Sequence, residues 1–94
     1  MQMEIDKAFQ VALSHQKSGN FSAAERIYRE ILAQAPQHAD SLHFLGLVEH
    51  NKGNHQEAIR LIRRSLTLKP NESAFHQNLG GVFKECGYFD DAVE

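Results

Sequence analysis

The 94-residue chain has no tryptophan, one cysteine and two prolines, and its 23% charged residues nearly cancel to a net charge of −2. Each scarcity excludes something. A lone thiol, Cys86, cannot close an internal disulfide, which fits a reducing compartment. Nearly balanced charge offers no long-range attraction to nucleic acid or to an anionic membrane surface, so neither is an expected partner. No apolar run approaches the roughly 20 residues of a membrane span. The opening Met1-Gln2-Met3-Glu4-Ile5-Asp6 has neither the basic flank nor the apolar core of an export signal. The expected location is therefore cytoplasmic. No segment alternates polar and apolar residues for long enough to make a strand, so the chain reads as all-α.

What is present is a period. Gly19, Gly53 and Gly87 are separated by 34 residues at each step, as are Ala24, Ala58 and Ala92, and Pro36 and Pro70. Val11, Leu45 and Leu79 fall in the same register, each followed by a small residue: Ala12, Gly46 and Gly80. The repeats are 5–38, 39–72 and 73–94, the third stopping partway, within a single domain, 1–94. Each glycine separates two helical patterns. In the second unit Leu42, Leu45 and Val48 mark one helix face, and Ala58, Ile59, Ile62, Ser65 and Leu66 mark the next. Asn54 with Glu57 predicts a capping-box start, and Pro70 closes the unit. The Asn20-Phe21-Ser22 and Asn71-Glu72-Ser73 sequons read as helix starts rather than glycosylation sites. Five helices and the first turn of a sixth are expected.

Leu42-x2-Leu45-Gly46, Ala58-x3-Ile62 and Pro70 resemble the tetratricopeptide repeat signature W-x2-L-G-x2-Y, A-x3-F, P. His76-x2-Leu79-Gly80-x2-Phe83 repeats it, while the first unit keeps only Gly19, Ala24, Tyr28 and Pro36. The resemblance implies a right-handed helix-turn-helix solenoid of about two and a half repeats that acts as a non-catalytic protein-interaction scaffold. It also implies that the first helix of each pair lines a concave groove for a protein or peptide. On that basis Phe9, Leu13 and Lys17 line the groove in the first unit, His43, Phe44, Leu47, His50 and Asn51 in the second, and Gln77 and Asn78 in the third.

The carboxylate clamp of some family members is missing: Phe9, Leu13, Phe44 and Ala74 stand at its positions, and only Asn78 matches. The run His76 to Glu85 is similar to repeats of the O-GlcNAc transferase type, in which an asparagine before Leu-Gly holds an extended peptide. Gln10 and Phe44 replace that asparagine in the other units, which leaves one rung. Ile27 to Pro36 is similar to N-terminal repeats of large bacterial transferases. The alternative reading is thus the substrate-presenting or regulatory arm of a larger glycosyltransferase or methyltransferase.

Six histidines do not make a metal site, because His43 and His50 lie about 10.5 Å apart along a helix. No cofactor is expected. No serine, cysteine or carboxylate pair has a nucleophile or acid–base arrangement, so no catalytic residue is assigned. The arginines of the outer helices are interleaved with Glu25, Glu30 and Glu57, as on a solvated face. Finally, Phe75, Leu79, Val82, Phe83 and Cys86 share one stripe that a complete sixth helix would cover. A homo-oligomer, with the stripe buried by self-association, is expected from it.

Overall fold

The computed structural model describes residues 4–86. They form five helices, α1 (Ile5–Lys17), α2 (Phe21–Gln34), α3 (Ala39–Asn51), α4 (His55–Leu68) and α5 (Ser73–Cys86), with no strand among the described residues. Gly87, Ala92 and the expected start of a sixth helix lie outside them.

The turns follow from local chemistry. Gly19 and Gly53 have φ of 82° and 90°, the left-handed region that lacks a steric penalty only for glycine. Each sits just past a helix end. There Asn20 N–H and Asn54 N–H reach back to the carbonyls of His15 and Glu49 at 2.8 Å, closing a Schellman motif. The predicted capping box is corrected. Asn54 occupies the N-cap of α4, but its side chain makes no cap hydrogen bond. Its Nδ2 instead donates to Glu49 Oε1 at 2.7 Å, and Glu57 pairs with Arg60 at 2.7 Å. A buried carboxylate on the preceding helix outcompetes the cap.

The two hairpins, α1–α2 and α3–α4, stack in chain order, α2 against α3 and α4 against α5. One core joins Ala12, Ala24, Tyr28, Ile31, Leu42, Leu45 and Val48 with Leu61; a second joins Ala58, Ile62 and Val82. Between these two cores, α3 buries most of its length, whereas α1 buries only Ala12. Gly46 marks the closest approach within a hairpin. A Cβ there would stand 2.7 Å from Ile62 Cγ1 and 3.0 Å from the Ala58 carbonyl oxygen.

The apolar stripe on α5 is not the exposed surface expected of it. Phe75, Val82 and Phe83 are only 4%, 2% and 4% exposed. Val82 packs in the second core with Leu79 beside it, Phe75 stacks on His43, and the Arg63 guanidinium lies over the Phe83 ring at 5.2 Å. Phe75, Leu79, Val82 and Phe83 form the face by which α5 docks on the second hairpin; the Cys86 side chain lies outside the described residues.

Candidate functional site

The first helices of the pairs, α1, α3 and α5, meet side by side along one face, and their contacts keep a regular offset. Phe9 and Phe44 meet edge to face at 5.7 Å. One repeat on, Asn78 Nδ2 donates to His43 Nε2 at 2.9 Å across 35 residues. Two helical turns further along, His50 Nε2 lies 3.0 Å from Glu85 Oε2, again across 35 residues. Neighbouring first helices are thus displaced by one repeat plus one residue, and residues seven apart fall on the same seam.

Phe9, Leu13, Phe44 and Leu47 are half-buried, each with part of its surface open on this face. Lys17, Asn51 and Gln77 are exposed, while His50 and Asn78 are half-buried. His43 departs from its predicted place. Only 1% exposed, it cannot line a groove. Its ring is stacked on Phe75 at 4.1 Å and meets the edge of Phe44 at 5.0 Å. Burial, opposed by the nearby Asp40 charge, lowers its pKa from 6.5 to about 4, so the ring is neutral at pH 7.

The half-buried amides of the face are already engaged. Tyr28 Oη donates to Gln16 Oε1 at 2.8 Å, and Gln16 Nε2 donates to the Phe44 carbonyl at 3.4 Å. Burial raises the Tyr28 phenol well above its ordinary pKa, which keeps it a donor. Asn78 is held by His43. The apolar surface that stays partly open lies along α1 and α3, with Lys17, Asn51 and Gln77 exposed at its edge.

A charged belt ties the first hairpin to the second. Lys52 Nζ donates to Glu25 Oε1, Arg29 Nε to Glu25 Oε2 at 3.0 Å, and Arg29 Nη2 to Glu49 Oε2 at 3.4 Å. The Lys52 ammonium, with Arg29 beside it, holds the Glu25 carboxyl below its ordinary range. Glu49 is 2% exposed and occupies the position where the repeat signature carries a tyrosine. Sequence reasoning missed this belt and the seam of histidines. The signal for Glu49 was present, as a charged residue in a register position that packing makes buried. The seam needed the one-residue offset between neighbouring helices, which only stacking provides.

Two shallow hollows of about 660 and 540 Å³ lie elsewhere, at the α3–α4 turn beside Arg60 and at the α2–α3 turn beside Arg64. Among the described residues, no group of three or more His, Cys, Asp or Glu side chains is placed to hold a metal ion. No helix among them is long and apolar enough to cross a membrane.

The profile of the tetratricopeptide repeat family matches residues 10–73, more than half of the chain. The human PEX5-related protein is 28% identical over 87 residues, which cover 93% of this chain and 14% of that protein. Among solved structures, MamA protein superposes with a TM-score of 0.85 at 24% identity, covering 95% of this chain and 49% of that one. The Thermobaculum terrenum O-GlcNAc transferase does so with a TM-score of 0.74 at 37% identity, covering 88% of this chain and 17% of the transferase. The chain thus spans a small part of the curated relative and about half of MamA.

Proposed function

Because the chain belongs to the tetratricopeptide repeat family, whose repeats are protein-interaction modules, we propose that it is a non-catalytic scaffold that seats the apolar face of a partner helix along α1 and α3. The observation that carries this reading is the state of the amides. Asn78, the one ladder position that keeps an asparagine, is committed to His43, and Gln16 on the same face to Tyr28 and Phe44, so neither amide is free to hold an extended backbone. Phe9, Leu13, Phe44 and Leu47 remain partly open and in line, which suits apolar side chains at helical spacing. Lys17, Asn51 and Gln77 form the rim, with His50 beside them.

The test is selection from a library of helix-forming peptides, with affinity then measured by fluorescence anisotropy. Selected peptides are expected to carry apolar residues at i, i+3 or i+4 and i+7, and to gain helicity on binding. Leu13→Glu and Leu47→Glu should weaken binding at least tenfold with helix content retained. Asn51→Arg with Gln77→Arg should weaken it less, and Arg64→Glu, in the hollow at the α2–α3 turn, should leave it unchanged. Equal binding by the Leu13 and Leu47 variants and the parent chain sinks the assignment.

The homo-oligomer expectation loses its footing, since Phe75, Val82 and Phe83 of the stripe are buried on their own chain. A role as the arm of a larger transferase is not favoured; the likeness to the Thermobaculum terrenum O-GlcNAc transferase covers 17% of that enzyme.

A further inference from the structure

The seam between α3 and α5 differs in kind from the seam between α1 and α3. The first boundary is closed by two phenylalanines, Phe9 and Phe44. The second is closed by two histidines that meet the same helix 35 residues on, His43 with Asn78 and His50 with Glu85. Apolar contacts do not respond to acid, and imidazoles do.

The two histidines sit in different surroundings. His43 Nε2 accepts from Asn78, so the ring carries its proton on Nδ1, a buried nitrogen with no hydrogen-bond partner. A second proton would go to Nε2, which ends acceptance from the Asn78 Nδ2–H and requires that amide to turn over to present Oδ1, and in either arrangement the charge is buried. The resulting cation would be shut between the Phe75 and Phe44 rings. Among the described residues, the charged group acting on it is Asp40 of its own helix, whose carboxylate accepts from Lys69 Nζ, just past α4, at 3.2 Å. From α5 it is faced by Phe75 and Asn78, both uncharged. His50 is placed differently. With its Nε2–H given to the Glu85 carboxylate at 3.0 Å, its Nδ1 accepts from His55 Nδ1–H of α4 at 2.9 Å, so this end of the seam is held by a hydrogen bond to a carboxylate.

We propose that the α3–α5 seam is a proton-operated hinge, in which protonation of His43 undocks the N-terminal half of α5 while His50 and Glu85 keep its other half tethered. The site regulated is the binding face proposed above, which loses Gln77 from its rim when the N-terminal half of α5 swings away. That consequence rests on the groove reading; the hinge does not.

Burial and the opposing Asp40 charge set the pH window. His43 has a pKa of about 4 when docked and 6.5 when free, so the docked state prefers the neutral ring. Docking is complete above pH 6.5 and weakens as pH falls from there toward about 4. Over most of that window the ratio of released to docked α5 rises nearly tenfold per pH unit.

The experiment is amide hydrogen exchange by NMR on the whole chain from pH 7.5 to 4.5, read as protection factors, with the His43 imidazole followed by its Cε1–Hε1 shift. The N-terminal half of α5 should lose protection by roughly a hundredfold, in step with the His43 titration, while its C-terminal half loses less and α1 and α2 keep theirs. His43→Gln retains an oxygen to accept from Asn78 but cannot be protonated, and His43→Phe retains the stack on Phe75; both should flatten the α5 profile. If α5 is released equally in both variants, surface carboxylates are the cause and the hinge is wrong. It is equally wrong if parent α5 protection stays level or falls out of step with His43, a reading that holds even where a variant folds poorly. No ligand enters this measurement, so a face that captures no peptide leaves the hinge standing, and a failed hinge leaves the peptide result untouched.

Discussion

Val11 and Leu45 occupy the same position one repeat apart, yet Val11 is 49% exposed and Leu45 is fully buried. The difference lies in what surrounds each side chain. Leu45 is enclosed in the first core with Tyr28, Ile31 and Leu61, while Val11 has no described element over it. Leu45→Ala is therefore expected to cost about 2–5 kcal/mol, and Val11→Ala no more than about 0.5 kcal/mol, by urea denaturation followed with circular dichroism. Gly46 shows the same dependence on neighbours. Its missing Cβ would press on a fully buried Ile62 and on backbone, so Gly46→Ala should cost about 1–3 kcal/mol although alanine is the better helix former. A Gly46→Ala variant as stable as the parent would show that α3 and α4 can part without cost. The need for a small residue at position 46 was legible in the 34-residue register. The burial of His43 was not, because its covering ring, Phe75, lies 32 residues away.

At the level of helices and turns, sequence and structure agree where the forces are local. The starts of α1, α3 and α5 at Ile5, Ala39 and Ser73 are 34 residues apart, and the glycine turns fall where the punctuation places them. Glycine has opposite value in two of these settings. Gly53→Ala forces a Cβ into the left-handed region and should cost about 1–2 kcal/mol. Gly81→Ala in α5, with no atom within 4 Å of the new methyl, should raise the melting temperature through a helix-propensity gain of about 1 kcal/mol. A fall in melting temperature for Gly81→Ala would mean that the α1–α3–α5 face closes over that position. The capping box at Asn54 failed as a prediction because cap chemistry is a local rule. It gave way to a demand that packing creates, a hydrogen-bond partner for Oε1 of Glu49, which the stacked helices bury.

Across the whole molecule, the two boundaries between packed units respond to different ranges of pH. The belt joining the first hairpin to the second depends on Glu25, whose carboxyl is held below its ordinary 4.5 by Lys52 and Arg29. The stability it lends is present above pH 4.5 and lost as pH falls below that value. The α5 seam yields at higher pH, so acid should dismantle the chain in order, α5 first and the contact between the hairpins second. Glu25→Gln should weaken the second step and leave the first in place, a separation visible in the same exchange profiles. A single concerted transition would contradict it. The sequence by itself determined the helices, their turns and the period of the stack, because hydrogen bonds four residues apart and apolar spacing along one helix face are written locally. Tertiary structure alone decided which faces are covered. The α5 stripe reads as exposed until α5 is laid on the second hairpin. His43 likewise reads as a solvated ring until a helix displaced by 35 residues encloses it, because burial is a property of two surfaces and each segment of the sequence describes only one.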